Sequence, residues 1–266
     1  MSKSIVSSYI GSRDDKGSKH GFGSQIWADK SKYIGNFHQD QALGLGILVY
    51  SDGNVYKGEF SDNMANGYGE FIYKNGNVCY CFWNNDLQYD IGHLQNSDGT
   101  EYMGEYNKGK FDGIGTYLWK DNTKYEGEWK ENSIEGYGMF YFADGRTYIG
   151  MWKDSKMNGY GELSWKDGRK FCGFYKDHKK NGFGIQYWPN GDRFYVGFWK
   201  DGKQHGIGQF IKGNEMKYGQ WVEGQKEKWF NDADECIRTL SENEEKYKKL
   251  LTKSIKEIKE FVLEQM

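Results

Sequence analysis

Tyr33, Tyr56, Tyr102, Tyr125 and Tyr148 fall on a 23-residue grid, with Cys79 at the missing place and Phe171 and Phe194 continuing it. A fixed period of this length constrains the fold more than any single motif, because every copy must build one small unit and stack it on the next. Two residues after the grid position most copies carry glycine, as at Gly35, Gly58, Gly104, Gly127, Gly150 and Gly173. Two further on comes an aromatic residue: Phe37, Phe60, Trp83, Tyr106, Trp129, Trp152 or Tyr175. A Gly-x-Gly pair follows in register, as at Gly44/Gly46, Gly67/Gly69 and Gly136/Gly138. An Asp-Gly or Asn-Gly then closes most units, as at Gly53, Gly76 and Gly145.

The regular unit YEGEWKENSIEGYGMFYFADGRT splits into two alternating runs, Tyr125-x-Gly127-x-Trp129 and Gly136-x-Gly138-x-Phe140-x-Phe142. Alternation with period two is the pattern of a strand, whose residues i, i+2 and i+4 share a face. The Asp-Gly dipeptides favour positive-φ turns between antiparallel strands. Each unit therefore predicts a β-hairpin, and the chain an elongated, mainly β, single-layer antiparallel meander of about nine hairpins. Glycine would weaken a strand unless something needs its lack of a side chain. Here it shares a face with the aromatics, so large rings can lie across it in a core about one ring deep. Composition agrees: aromatics are 18% of the chain while all hydrophobic residues reach only 37%, too little aliphatic material for a thick layered core.

Departures from the grid locate irregular copies. Tyr9-Ile10-Gly11 opens a poor first one, and one extra residue at Arg193–Tyr195 predicts a bulge. The last unit, KYGQWVEGQ, puts Lys217 where tyrosine belongs. In CYCFWNNDLQYDIG, Cys79 and Cys81 replace tyrosine and glycine, and Asp90 replaces the first glycine of its pair. Two thiols at i and i+2 make a poor disulfide framework and chelate metal poorly alone; the nearest histidine, His93, has the opposite parity to Gly92. These are expected to be separate reduced thiols in a drifted hairpin, with a notch for a partner as the sharper reading.

After Trp229 the glycines stop and the period changes, dividing the chain into an array at 1–229 and a C-terminal segment at 230–266. Ile237, Leu240, Tyr247, Leu251, Ile258 and Phe261 recur at helical spacing, as in an amphipathic helix beginning near Asp232/Asp234 or at Ser241. Its stripe either caps the last hairpin or docks on a partner.

The motif Tyr-x-Gly-x-Trp, a short polar link and Asn-Gly-x-Gly, as in YIGMWKDSKMNGYG, resembles the MORN (membrane occupation and recognition nexus) repeat over roughly residues 9 to 224. The resemblance implies a single-layer sheet with an aromatic, groove-like face. It also implies a non-enzymatic scaffold whose partners are other proteins of a cytoskeletal complex. Small chains of this kind are similar to ciliary axoneme and radial-spoke-head components, so the expected location is the cytoplasm and cytoskeleton, in the cilium, with homodimerisation a further expectation. Phospholipid or membrane-junction binding is the family's alternative.

On the residues themselves, partner contact is assigned to an exposed aromatic face: Trp27, Trp119, Trp165 and Trp188 in one column, with Tyr102, Trp129, Trp152 and Trp199. The C-terminal stripe is the second candidate surface. Thirty-six basic against 38 acidic residues, net −2, offer nothing for nucleic-acid phosphates and little for anionic lipid. No run of 18 apolar residues occurs, and the N-terminus lacks an apolar stretch of leader length. The Gly-x-Gly pairs lack the third glycine and following helix of a dinucleotide fingerprint. His20 and His205 occupy one repeat position and read as polar turn residues. No nucleophile, acid–base or metal motif appears, so neither an enzyme nor a cofactor is expected.

Overall fold

A computed structural model describes residues 7–189 and 191–242. Twenty strands, from Ser8–Arg13 to Gln225–Trp229, form one antiparallel sheet, and a helix, α1, follows at Ala233–Glu242. The mainly β meander is thus as the period implies. It has two strands more than nine hairpins would give, since Glu215–Val222 and Gln225–Trp229 also pair. The chain divides into two compact units. The first holds the residues up to Asn122 with Trp129–Asn132, and the second holds Thr123–Glu128 with those from Ser133 onward.

Within a hairpin the two glycines of Gly-x-Gly have different jobs. Strand Lys32–His38 pairs with Gln41–Val49 so that Gly35 faces Gly46 but Phe37 faces Ala42, leaving two extra residues on the second strand. This is a bulge around Gly44, whose φ of 71° lies in the left-handed region, and a Cβ there would meet nothing within 4 Å. Gly46 is different: a Cβ on it would lie 2.5 Å from Cε2 of Tyr33, whose ring lies across it. The first glycine bends the strand; the second makes room for a ring.

That ring is the core. Tyr33, Tyr56 and Tyr102 in the first unit, and Tyr125, Tyr148 and Tyr195 in the second, are at most 1% exposed. Each folds back over its glycines and donates its hydroxyl to the carbonyl three residues on, as from Tyr56 to Glu59 (3.0 Å) and Tyr102 to Glu105 (2.8 Å). A buried hydroxyl needs such a partner. Edge-to-face contacts continue the row: Tyr33 with Phe37 and Phe60, both at 5.0 Å, and Tyr148 with Trp152 at 5.1 Å and Tyr175 at 5.2 Å.

The tightest turns lie in the polar links. Asp62 and Asn63 take φ of 53° and 67°, the two-residue primed turn that matches strand twist. The Asp-Gly dipeptides instead close longer loops, in which the Tyr50 amide donates to Asn54 O and Gly53 takes φ of 96°. The polar turns also clip one hairpin to the next. Asn63 Oδ1 accepts the Ala42 amide at 2.8 Å, and Asp86 Oδ1 accepts that of Ala65 at 2.7 Å.

Two irregular copies correct the sequence reading. The extra residue at Arg193–Tyr195 makes no bulge in its pairing with the preceding strand: Tyr187↔Phe194 to Gly182↔Trp199 runs without a shift. It lengthens the loop instead, the Trp188 amide reaching Arg193 O five residues on, where Tyr50 reaches Asn54 four on. Tyr195, not Phe194, takes the buried grid position. Cys79 and Cys81 are joined as a disulfide, not held as separate thiols, with Cα atoms 5.7 Å apart. At 1% and 0% exposed they fill the missing ring's place, so no notch opens there.

Asp90 in that hairpin holds φ of 60°, where other copies place the bulge glycine. A side chain in this region costs energy that glycine does not. Asp90→Gly should therefore stabilise the protein by about 0.5–1 kcal/mol, read as a raised urea midpoint; an unchanged or lowered midpoint would refute the strain.

Candidate functional site

The eight residues assigned to an aromatic face do not form one exposed surface. Tyr102, Trp129, Trp152 and Trp199 are buried at 0–8% exposure, because they are the rings of the core row. Trp129 and Trp152 each donate Nε1 to a glycine carbonyl, that of Gly115 at 3.1 Å and Gly138 at 3.4 Å. Trp27 is exposed, while Trp119, Trp165 and Trp188 are half-buried where the loops between units begin. Arginines stack on two of these: Arg169 lies 5.4 Å from the Trp165 ring centre and Arg193 4.6 Å from that of Trp188. On this face of the first unit, Trp27, Tyr33, Leu48, Tyr50 and Phe60 line a hollow of about 720 Å³.

The exposed apolar surface lies on the opposite face, built by the middle residue of each Gly-x-Gly. Phe22 is 66%, Leu45 69%, Ile91 59% and Ile114 59% exposed, with Tyr68 and Phe82 beside them. Antiparallel pairing sets Tyr68 against Phe82 across neighbouring strands, their rings 5.5 Å apart. Phe22, Ile34, Leu45, Ile47, Tyr68 and Tyr80 line a hollow of about 730 Å³, bordered by the Lys57–Glu70 ion pair at 2.8 Å. Glutamates on this face serve the backbone: Glu105 Oε1 accepts the Ile114 amide at 3.0 Å, a donor freed by the bulge. The sequence carried this signal, since a solvated strand face alternates with polar residues. Tryptophan content points instead to the other face.

In the second unit one such position, Ile207, is covered together with Phe198 (the equivalent of Phe82), while the middle residues Tyr137, Tyr160 and Phe183 are half-buried. Phe198 and Ile207 are buried under Phe230 and Cys236, with Phe183 and Tyr218 packed around them. Asp232 caps α1, its Oδ1 accepting the Glu235 amide at 2.7 Å, while Glu235 reaches back to the Asn231 amide at 2.8 Å. The start near Asp232 is as the sequence suggests, and Ser241 lies within the helix. Cys236 is buried against the sheet, while Ile237 is 56% exposed. Leu240 lies on α1, its side chain outside the description, and Tyr247, Leu251, Ile258 and Phe261 lie outside the described residues.

His20 and His205 lie within strands Lys19–Ile26 and Lys203–Lys212, not in turns. The turn histidine is His178, whose Nδ1 accepts the Met157 amide at 3.4 Å. Among the described residues no group of three or more His, Cys, Asp or Glu could hold a metal ion, and no helix is long and apolar enough to cross a membrane.

Eight segments match the MORN repeat family: residues 16–32, 33–55, 56–78, 102–124, 125–145, 148–168, 171–193 and 195–216. The hairpin holding Cys79 and Cys81 falls in the gap between the third and fourth. No curated protein sequence matches the chain. Among solved structures, the chain is similar to the TCP10 domain of Danio rerio CPAP in complex with a peptide of Danio rerio STIL. Identity is 10% with a TM-score of 0.48, covering 85% of this chain and 100% of that one. It is also similar to the SAS-4 (dCPAP) TCP domain of Drosophila melanogaster, in complex with a proline-rich motif of Ana2, at 17% identity and a TM-score of 0.37. That match covers 59% of this chain and 85% of the other.

Proposed function

The chain belongs to the MORN-repeat family, and we propose that it is a non-enzymatic scaffold whose first unit binds an amphipathic helix of a partner protein. The observation that carries this reading is the contrast between equivalent repeat positions. In the second unit Phe198 and Ile207 receive Phe230 and Cys236, from α1 and the segment leading into it. In the first unit Phe22, Leu45, Ile91 and Ile114, at the place of Ile207, and Phe82, at that of Phe198, are exposed. Exposed apolar side chains recurring along one face favour an interface, and the chain's own C-terminal segment supplies the mode: Phe230 and Cys236 laid on Phe198 and on Ile207, the middle residue of a Gly-x-Gly. The near-neutral net charge of −2 favours a protein partner over anionic lipid. A cytoskeletal assembly is the setting proposed for this scaffold. The axoneme and radial spoke are the finer part of the proposal and rest on family resemblance alone; self-association rests on the open sheet edges, which invite pairing.

The test is a photo-crosslinking residue in place of Tyr68 in the full chain, expressed in its native cell. A discrete adduct is expected, mapping to the apolar face of a helix in one partner and lost in Leu45→Glu/Ile91→Glu. Absence of an adduct, or one indifferent to the double substitution, overturns the reading. So does salt-sensitive flotation of the purified chain with anionic vesicles. A fluorescent fusion distributed along cilia supports the finer placement; a plasma-membrane signal rejects it.

A further inference from the structure

Lys180 stands where Ala42, Ala65, Ile134 and Met157 are buried in the aromatic core, and where Lys19, Gln88 and Gln204 are the other polar residues. Its ammonium is correspondingly surrounded by rings, 4.4 Å from the centres of both Phe171 and Trp199 and 5.4 Å from that of Trp165. A second departure accompanies it. Gln186 is only 7% exposed and occupies the place of Leu48, Phe140 and Leu163. Gln186 Oε1 accepts a hydrogen bond from Lys180 Nζ at 2.5 Å, while its Nε2 donates to the carbonyls of Lys170 (3.1 Å) and Tyr187 (2.9 Å). Two apolar core positions are exchanged together here for a cation and the acceptor that aims it, as they also are at Lys19 and Gln25 in the first copy.

Packing alone gives no reason for the exchange, since a buried ammonium loses hydration that one amide oxygen and three ring faces replace only in part. An ammonium has three donors, and Gln186 takes one. No described carboxylate forms an ion pair with Lys180. The side chain borders a hollow of about 300 Å³ walled by Trp165, Trp188 and Trp199, with Arg169 and Lys203 as the other charged groups lining it. Arg169 is paired with Asp167 at 2.7 Å, and that carboxylate does not line the hollow. The site is thus an aromatic slot of small-ligand size with cations and no anion.

We propose that this hollow binds a small organic oxyanion, a carboxylate or phosphate monoester, which accepts hydrogen bonds from Lys180 while its flat apolar body lies against the three tryptophans. Arg169 and Lys203 add positive potential from the rim, and Gln186 holds the lysine in place. Burial first, then the charge of Arg169, lowers the Lys180 pKa to about 8. Only the ammonium attracts the ligand, so an oxyanion should raise that pKa and bind about tenfold more weakly at pH 9 than at pH 7.

The test is NMR of the full chain with ¹³C-labelled lysine, the Lys180 signal assigned by its loss in Lys180→Met and followed through pH titrations. The probes are benzoate, phenyl phosphate, inorganic phosphate and neutral benzamide. Benzoate or phenyl phosphate should shift the Lys180 titration upward, and Lys180→Met should weaken their binding at least tenfold. Benzoate alone identifies a carboxylate site, and phenyl phosphate alone a phosphate site. Benzamide binding as tightly as benzoate overturns the proposal, as do a Lys180 titration indifferent to both anions, a shift given by inorganic phosphate alone, and undiminished binding by Lys180→Met.

Loss of folding does not confound that variant. The folded-state pKa lies below that of an unfolded lysine, so the wild type pays for its buried charge at neutral pH and gains stability as pH rises from about 8 through the ordinary lysine range. Lys180→Met should thus melt higher than wild type at pH 7, with the gap closing across that window.

Discussion

Gly58→Ala is expected to cost on the order of 3 kcal/mol, whereas Gly44→Ala, also in the first unit, costs about 1–2 kcal/mol. The difference lies in what a methyl group would meet. At Gly58 a Cβ would lie 2.5 Å from the Tyr56 hydroxyl and 2.6 Å from the Cα of Gly69 on the paired strand. The second contact is backbone, so relief requires the two strands to part. The first would push aside a ring that is fully buried and held between Phe60 and Trp83. Overpacking of this kind destabilises because the surroundings are already dense. At Gly44 nothing lies within 4 Å, and the cost is only that of holding an L-residue at φ of 71°. Gly44→Asn should therefore be milder than Gly44→Ala, since asparagine tolerates the left-handed region, whereas at Gly58 the larger residue should be worse. Urea unfolding followed by tryptophan fluorescence measures all three; equal costs for Gly44→Ala and Gly58→Ala would show that the rings yield.

This division of labour was only partly legible in the sequence. Period and parity gave the hairpins, because a side chain's face in a strand is fixed by its number. Both glycines of a pair look alike as letters, however, and one steric role was assigned to both. Asp90 held the missing clue: the one non-glycine at a first position in the middle of the array is a residue that tolerates positive φ. The exposed apolar face escaped the sequence reading for a related reason. Trp129 and Trp152 are large and register-locked, which marks them as candidates for contact, yet rings with a glycine to cover are the ones that become buried. Phe22, Leu45 and Ile114 occupy the letter between two glycines and looked like filler, although among the described residues they stand 59–69% exposed. Lys180 and Gln186 are visible on the grid as exchanges of apolar for polar residues. That they meet each other depends on side-chain reach across six residues of a bulged strand, which periodicity does not report.

Tyr148 allows the ring and its glycine to be tested as one unit. Tyr148→Ala removes a side chain with no exposed surface and two edge-to-face partners, Trp152 and Tyr175, and should cost about 3–5 kcal/mol. Tyr148→Phe should cost only about 1 kcal/mol, because it loses the 3.0 Å hydrogen bond to Met151 O and keeps the ring. Phe171 already occupies the equivalent place in the next copy with no exposure. Burial pushes the Tyr148 pKa far above its ordinary value, so this hydroxyl remains a neutral donor across the working pH range. Gly161→Ala on its own should be strongly destabilising, since its Cβ would meet Tyr148 alone among its nearest neighbours, with Cζ at 2.5 Å and Cε2 at 2.6 Å. Once the ring is gone that clash disappears. In the Tyr148→Ala background, Gly161→Ala should be close to neutral, a favourable coupling of about 1–3 kcal/mol in a double-mutant cycle. The same cycle at Gly150 should recover less, because its Cβ would also meet the Gly161 Cα at 2.5 Å whether or not the ring is present. Additive costs at Gly161 would mean that the glycine is needed for backbone freedom and not for the ring that covers it.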